Sequence, residues 1–128
     1  MPWTYHQRSG AIEADPAHLP ETGETVAVGY SGFGEGKNNP AFQNVPDVGP
    51  IPQGRYLIRG AFDSPTHGPV AMPLVPDASN QMFGRSEFLI HGDSVFEPGS
   101  ASKGCIILPR AVREAINASE DKILVVVS

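Results

Sequence analysis

Glycine and proline constrain the fold of this chain more than any other feature. The 128 residues include 14 Gly and 13 Pro, scattered between short apolar runs. Both residue types interrupt regular structure, and apolar runs of about 4–8 residues between them are typical of strands joined by turns. The sequence therefore predicts a mainly β protein. Its length predicts a single domain over residues 1–128.

Individual segments fit this prediction. Strands are predicted at 3–6, 10–12, 25–30, 55–59, 70–75, 88–90, 104–108 and 122–127. Pro73 cannot donate a ladder hydrogen bond, which favours an edge position for the strand that contains it. Pro109 can begin a helix over about 110–118, because Val112 and Ile116 would lie on one face. The stretch 31–49 is too long for a hairpin turn and predicts a functional loop.

Composition excludes several classes of function. The net charge is −5 and no segment concentrates Lys and Arg, so nucleic acid is not an expected partner. No apolar run approaches the roughly 20 residues that span a bilayer, and the N-terminus lacks a basic segment followed by an apolar one. We therefore expect a protein made in the cytoplasm without a Sec signal. A single cysteine excludes an internal disulfide and Cys-rich zinc sites, and we expect neither a metal nor a cofactor.

The segments around His91 and Cys105 carry the chemistry. A free thiol with a pKa near 8.5 is only about 3% ionised at pH 7, so a cysteine nucleophile needs a base. His91 is that base if two adjacent strand ends bring imidazole and thiol together. Gly104 would allow close approach of the substrate to an oxyanion-binding amide, and Asp93 or a carbonyl near Ser102 would orient the imidazole. Without these neighbours, a lone cysteine would be interpreted as a small buried hydrophobe.

The sequence leaves the functions of other polar residues open, and it excludes specific sites for some of them. Residues 32–37 are glycine-rich, but Ser31 and Asn38 stand where a phosphate-binding P-loop needs Gly and Ser or Thr. The same loop either contacts substrate or forms a structural turn. Asp93 lies in a Gly-Asp-Ser sequence that is also an ordinary turn. The other histidines lack partners at metal-ligand spacing and are predicted to be surface or turn residues: His6, His18 and His67.

The chemical segments resemble a known family. In L,D-transpeptidases of the YkuD type, a strand histidine precedes a Ser/Thr-His-Gly-Cys segment, and here His91 precedes Ser102-Lys103-Gly104-Cys105-Ile106. Nearly the whole chain is similar to a toxin subgroup of that family, found in type VI secretion. The similar segments are Trp3-Thr4-Tyr5, Gly29-Tyr30-Ser31-Gly32, Lys37-Asn38-Asn39-Pro40, the Gly-Pro-Ile-Pro-x-Gly turn at 49–54, and the His-Gly-Asp and Gly-Cys-Ile-Ile core.

The resemblance implies an L,D-transpeptidase-like β-sandwich or barrel with one short helix near the C-terminus. It also implies that Cys105 attacks the bond between meso-diaminopimelate and D-Ala in a peptidoglycan tetrapeptide stem. Water would complete an L,D-carboxypeptidase reaction, a D-amino acid would complete an exchange, and another stem would form a 3-3 cross-link. Such a toxin would act in the periplasm of a target bacterium, with secretion machinery and an immunity protein as partners.

Two departures from the family pattern stand out. Lys103 replaces a second histidine, and the first arginine after the cysteine is Arg110, later than in the family. The substrate-binding residues implied by the resemblance are Tyr30, Ser31, Lys37, Asn38, Asn39, Lys103 and Arg110. Two rival functions remain at this point, a peptidoglycan endopeptidase of another Cys-His class and a non-catalytic wall-binding module.

Overall fold

A computed structural model describes residues 2–14 and 25–128. Strands make up most of its regular structure, as the sequence predicts. The strands are β1 (Trp3–His6), β2 (Ala11–Glu13), β3 (Thr25–Val28), β4 (Tyr30–Ser31), β5 (Gly54–Ile58), β6 (Phe62–Ser64), β7 (Gly68–Pro76), β8 (Phe88–His91), β9 (Ile106–Ile107) and β10 (Ile123–Val127). One α-helix, α1 (Arg110–Ala118), lies between β9 and β10, and two 3₁₀ turns, Gly34–Gly36 and Pro40–Phe42, lie in the loop after β4.

The strands form one sheet that nearly closes on itself. Their order is β3-β2-β1-β10-β5-β7-β8-β9-β4, and β6 pairs with β7 beside this path. The strands at the two ends, β3 and β4, are separated in the chain only by Gly29, so one continuous segment completes the ring of strands. A Cβ on Gly29 would lie 1.7 Å from the carbonyl oxygen of Ile107, which explains why glycine occupies this junction. The architecture is the mainly β, barrel-like fold predicted from the sequence.

Alternation of apolar residues explains how the strands line the core. Trp3 and Tyr5 in β1 are buried, as are Leu124 and Val126 in β10, and the two strands pair in parallel with Trp3 opposite Leu124. Because side chains alternate across a strand, one face of each strand enters the core and the other faces outward. The strand β10 is therefore buried on one face.

The strand containing Pro73 is central, and the predicted edge position is wrong. The strand β7 lies between β5 and β8. Ile58, the last residue of β5, pairs with Leu74, so Pro73 faces Arg59, just beyond the end of β5. The Pro73 carbonyl still accepts a hydrogen bond from the Arg59 amide at 2.8 Å. Since the missing N–H falls where the β5 ladder ends, a proline in this strand costs only the terminal bond.

The helix α1 has the predicted bounds. Pro109 precedes it with extended backbone, and Val112 and Ile116 are buried on one face. A third buried residue, Arg113, lies between them in the sequence. None of the helices in the described part of the chain has the length and apolar character needed to cross a membrane.

Candidate active site

The pairing of β8 with β9 places His91 and Cys105 on the same face of the sheet. These strands run parallel, with Ile90 opposite Ile106 and His91 opposite Ile107. Ile90 and Ile106 are both fully buried in the core. Because side chains alternate, His91 and Cys105, which come directly after Ile90 and directly before Ile106, lie on the opposite face, and both line one groove.

A groove of about 700 Å³ opens over this face. Its lining includes His91, Cys105, His67, Lys103 and Arg113. A second groove of about 590 Å³ extends from the same point toward Glu87, and it shares His67, Lys103 and Cys105 with the first. Cys105 is half-buried. The thiol is therefore accessible from two directions.

The hydrogen bonding of His91 defines its protonation state. Nδ1 lies 2.8 Å from the carbonyl oxygen of Gly92, and because a carbonyl only accepts, Nδ1 carries the proton. Nε2 is then a lone-pair acceptor, and it has no hydrogen-bond partner among the described residues. Burial lowers the pKa of His91, and the neighbouring charges of His67 and Arg113 lower it further. His91 is thus a neutral base at neutral pH.

Cys105 is a neutral thiol in the resting structure. Its Sγ accepts a hydrogen bond from the Leu89 amide at 3.4 Å. Burial raises the pKa of Cys105, and this hydrogen bond and the charge of Arg85 only partly offset the effect. No hydrogen bond joins Sγ to His91 Nε2. The two groups are therefore a neutral thiol and a neutral imidazole, not a preformed ion pair.

Ser102 shapes the turn that carries the thiol. Its hydroxyl donates to the Cys105 carbonyl at 2.6 Å and accepts from the amides of Gly104 at 3.0 Å and Gly32 at 2.9 Å. The Gly104 amide is thereby occupied. The Cys105 amide has no acceptor in the described part of the chain, so this donor is available to a bound ligand.

Glycine is the only residue type that this turn accommodates at position 104. The φ of Gly104, +135°, is in the region that favours glycine, and a Cβ would lie 2.5 Å from Nη2 of Arg85 and 2.8 Å from the Phe88 ring. Arg85 is buried and lies directly beneath this turn. Its guanidinium donates to four main-chain carbonyls, those of Gln43, Gly49, Pro50 and Lys103. Arg85 therefore ties the turn to the 43–50 loop, a role with no motif that sequence reasoning could detect.

A second histidine lies beside the first. His67 is an exposed turn residue between β6 and β7, as predicted, but its ring centroid is 4.6 Å from that of His91. His67 Nδ1 lies 2.9 Å from the hydroxyl oxygen of Thr66. The hairpin brings His67 to the junction of both grooves, a placement that depends on tertiary structure and has no signal in the sequence.

Asp93 organises the loop after His91 and does not orient the imidazole. Its carboxylate accepts from the Tyr30 hydroxyl at 2.5 Å and from the amides of Ser94 and Gly99. Burial raises the pKa of Asp93, but these hydrogen bonds and the charge of Lys37 outweigh it and hold the pKa below its usual range. The orienting acceptor predicted to be Asp93 or a carbonyl near Ser102 is the Gly92 carbonyl instead.

Tyr30 and Lys37 extend this network. The Tyr30 hydroxyl accepts from the Ala101 amide at 2.9 Å, and Lys37 Nζ lies 4.6 Å from the centre of the Tyr30 ring. Burial, followed by the hydrogen bond to Asp93, raises the pKa of Tyr30 to about 12. These residues support the 92–101 segment at the rim of the groove. Tyr30 itself lines a smaller depression next to it.

Three of the predicted substrate-binding residues form hydrogen bonds that build the loop. Ser31 is fully buried, and its hydroxyl donates to the Gly104 carbonyl at 2.9 Å. The Asn38 side chain accepts from the Ser31 amide, and the Asn39 side chain accepts from the Ala41 amide to cap a 3₁₀ turn. None of Ser31, Asn38 and Asn39 lines either groove.

The two basic residues that depart from the family pattern have different surroundings. Lys103 is exposed and lines both grooves beside Cys105. Arg110 is exposed and pairs with Glu114 at 2.8 Å, outside both grooves. The arginine of α1 that lines the larger groove is Arg113. Within residues 2–14 and 25–128, no cluster of three His, Cys, Asp or Glu side chains could hold a metal ion.

Comparison with known families places this geometry in context. A family model described as the Tlde1 domain matches residues 25–128. The chain belongs to the Tlde1 domain family. The match indicates a type VI secretion effector of an L,D-transpeptidase-like family that acts on the cell wall of a target cell. The matched part of the Tlde1 domain includes every residue of both grooves. No curated protein and no solved structure matches the chain significantly.

Proposed function

We propose that this Tlde1 domain is a cysteine-dependent L,D-carboxypeptidase that removes the terminal D-Ala from peptidoglycan tetrapeptide stems. The same active site would also exchange that D-Ala for another D-amino acid. The observation that carries the proposal is the placement of Cys105 and His91 on one face of adjacent strands, in one groove, with Nε2 of His91 buried and without a hydrogen-bond partner among the described residues.

The first half of the reaction forms an acyl-enzyme. His91 Nε2 takes the thiol proton as Sγ attacks the carbonyl carbon of the bond between meso-diaminopimelate and D-Ala. The Cys105 amide holds the resulting oxyanion. The tetrahedral intermediate then expels the D-Ala nitrogen, which receives the proton from His91, and a thioester remains on Cys105. The Leu89 amide, which donates to Sγ, stabilises the negative charge that develops on sulfur as the proton leaves.

The second half of the reaction depends on the acceptor. Water, deprotonated by His91, releases a tripeptide stem and regenerates the thiol. A D-amino acid amine in the same position forms a new amide, which is exchange. The acceptor enters the groove that contains His91, in the place of the departed D-Ala, and the second groove, which also opens on Cys105, offers space for the acyl group.

The expected partners follow from this chemistry. The substrates are peptidoglycan stem peptides, and the site of action is the periplasm of a target bacterium, reached through secretion machinery. A producing cell exposed to the same activity would need an immunity protein.

Muropeptide analysis tests the proposal. Purified protein is incubated with disaccharide tetrapeptides, and the products are measured by mass spectrometry with and without an added D-amino acid. Loss of one D-Ala supports the carboxypeptidase, and incorporation of the added amino acid supports exchange. Split cross-linked dimers or shorter stems would instead identify an endopeptidase, and binding without turnover would identify a wall-binding module.

Matched histidine variants separate the base from a general effect of substitution. We expect Cys105→Ala to abolish turnover and His91→Asn to lower it by about 10²–10⁴-fold. His6 pairs with Glu13 away from the groove, so His6→Asn serves as the control. Retention of activity in Cys105→Ala would refute the proposed mechanism.

A further inference from the structure

Arg113 is a buried cation with an incomplete set of partners. It lies on α1 with 7% of its surface exposed, and it lines the larger groove. Its Nε donates to the Leu108 carbonyl at 3.0 Å, and its Nη1 donates to the carbonyls of Pro69 at 2.6 Å and Val70 at 3.3 Å. Nη2 makes no hydrogen bond to any residue that the structure describes.

No carboxylate of the described residues forms an ion pair with this guanidinium. The ion pairs of His6 with Glu13 and of Arg110 with Glu114 do not include Arg113. Burial and the charge of Arg110 lower the pKa of Arg113, and the charge of Glu114 offsets this only in part. An arginine that is more than nine-tenths buried without an opposite charge is energetically unfavourable, because neutral carbonyls only partly replace its hydration. Such a site gains most from an anionic ligand that supplies the missing charge.

The backbone on both sides holds Arg113 against the catalytic strand. A Cβ on Gly92, the residue after His91, would lie 2.8 Å from Nη2. On the other side, Val70 has a φ of 56°, which is strained for a β-branched residue, and its carbonyl contacts Nη1. Such strain persists only where the surrounding structure fixes the backbone. Here the strained residue also directs its carbonyl at the guanidinium.

We propose that Arg113 binds the free carboxylate of the terminal D-amino acid of the stem peptide. The proposal rests on the proposed function. His91 returns a proton to the leaving nitrogen, so the leaving D-amino acid lies on the His91 side of Cys105, where Arg113 also lies. The carboxylate is attached to the carbon that carries this nitrogen. An arginine at this position selects a chain end and so makes the enzyme a carboxypeptidase, because an internal residue has no such carboxylate.

Binding to a catalytically inactive protein tests this assignment independently of turnover. In the Cys105→Ala protein, the Kd of a tetrapeptide with a terminal carboxylate is compared with that of the same peptide ending in an amide, by calorimetry. We expect the carboxylate to bind roughly 10-fold to 100-fold more tightly, as for a hydrogen bond between charged groups. Equal affinities would overturn the proposal without the use of any Arg113 variant.

Substitution of Arg113 then identifies the source of the preference. Arg113→Gln should weaken binding of the carboxylate peptide to the level of the amide peptide and leave the amide peptide unchanged. Arg113→Lys, which keeps the charge and loses the planar fork, should retain part of the preference. Arg59→Gln, an exposed arginine outside both grooves, should retain all of it. An unchanged preference in Arg113→Gln would refute the assignment.

A third peptide distinguishes the terminal carboxylate from the side-chain carboxylate of diaminopimelate. Amidation of that side-chain carboxylate should weaken binding equally in the parent and in Arg113→Gln. If its effect disappears only in Arg113→Gln, the arginine binds diaminopimelate and the proposal is wrong. Absence of turnover in the parent would count against the proposed function, whereas these binding comparisons test Arg113 alone.

Discussion

The imidazole rings of His67 and His91 lie 4.6 Å apart between their centroids and are tilted by 54°. Two imidazolium ions at this distance repel each other, so protonation of one disfavours protonation of the other. Burial is the largest cause of the lowered pKa of His91, and the charge of His67 adds to it. A residue from the β6–β7 hairpin thus helps to keep the proposed base unprotonated.

The pH dependence of activity should reveal the interaction between His67 and His91. Only neutral His91 can accept the thiol proton, so activity falls as the pH drops through the pKa of His91. Since that pKa is lowered, the acid limb of kcat/KM should lie below the usual histidine value of 6.5. His67→Asn removes a like charge, raises the pKa of His91 and should move the limb to higher pH. The control is His6→Asn, and a limb that stays in place in His67→Asn would contradict the coupling.

Arg85 should influence the thiol through its charge. Burial raises the pKa of Cys105, and the Arg85 charge opposes this rise. Arg85→Gln should therefore move the pH profile of iodoacetamide alkylation to higher pH, whereas Arg85→Lys should move it less. Both variants lose carbonyl partners and should lose on the order of 3 kcal/mol of unfolding free energy. Equal alkylation shifts in the two variants would mean that packing, not charge, controls the thiol.

Gly104→Ala should be strongly destabilising. The new Cβ would meet Arg85 and Phe88 at a backbone angle that favours glycine. Strain and overpacking together should lower the unfolding free energy by about 2–4 kcal/mol in urea denaturation. A Cβ on Gly60 would have no atom within 4 Å, and the φ of Gly60 is not positive, so Gly60→Ala is the control and should change stability little. Similar losses in both variants would show that the turn tolerates a side chain.

Tyr30→Phe should loosen the segment at the rim of the groove. The hydroxyl links Asp93 to the Ala101 amide, and its removal leaves both without this partner. We expect a loss of about 1–2 kcal/mol and faster hydrogen exchange of the Ala101 amide, with amides of α1 unchanged. Unchanged protection of Ala101 would mean that this hydroxyl does not hold the loop.

Turn residues and the spacing of apolar residues predicted strands and the helix where these local patterns determine the structure. The strands β1 and β2 follow from the apolar segments at 3–6 and 10–12, and α1 follows from Pro109 and the spacing of Val112 and Ile116. The segment 25–30 was predicted as one strand, and the structure divides it at Gly29. Within such segments the chain's own periodicity and turn chemistry determine the structure, so a single sequence is sufficient.

Contacts between segments that are distant in the sequence were harder to predict from the sequence. The central position of β7 depends on which strands flank it, and the proximity of His67 to His91 depends on that same arrangement. Arg113 is an intermediate case. It follows Val112 and precedes Ile116 by three residues, so the helix period places it next to the buried face, and this signal favours Arg113 over Arg110 as the arginine of the groove.

The position of β3 and β4 at the two ends of the sheet also affects association with other protein molecules. Unpaired strand edges act as templates for strand addition, and long ones promote aggregation. Here the ends are β3 and β4, strands of four and two residues, while the nine-residue β7 has neighbours on both sides. The middle of the longest strand is thereby enclosed, and the unpaired edges, which include that of the three-residue β6, are short. A neighbouring molecule therefore finds few peptide groups to which it could add a strand.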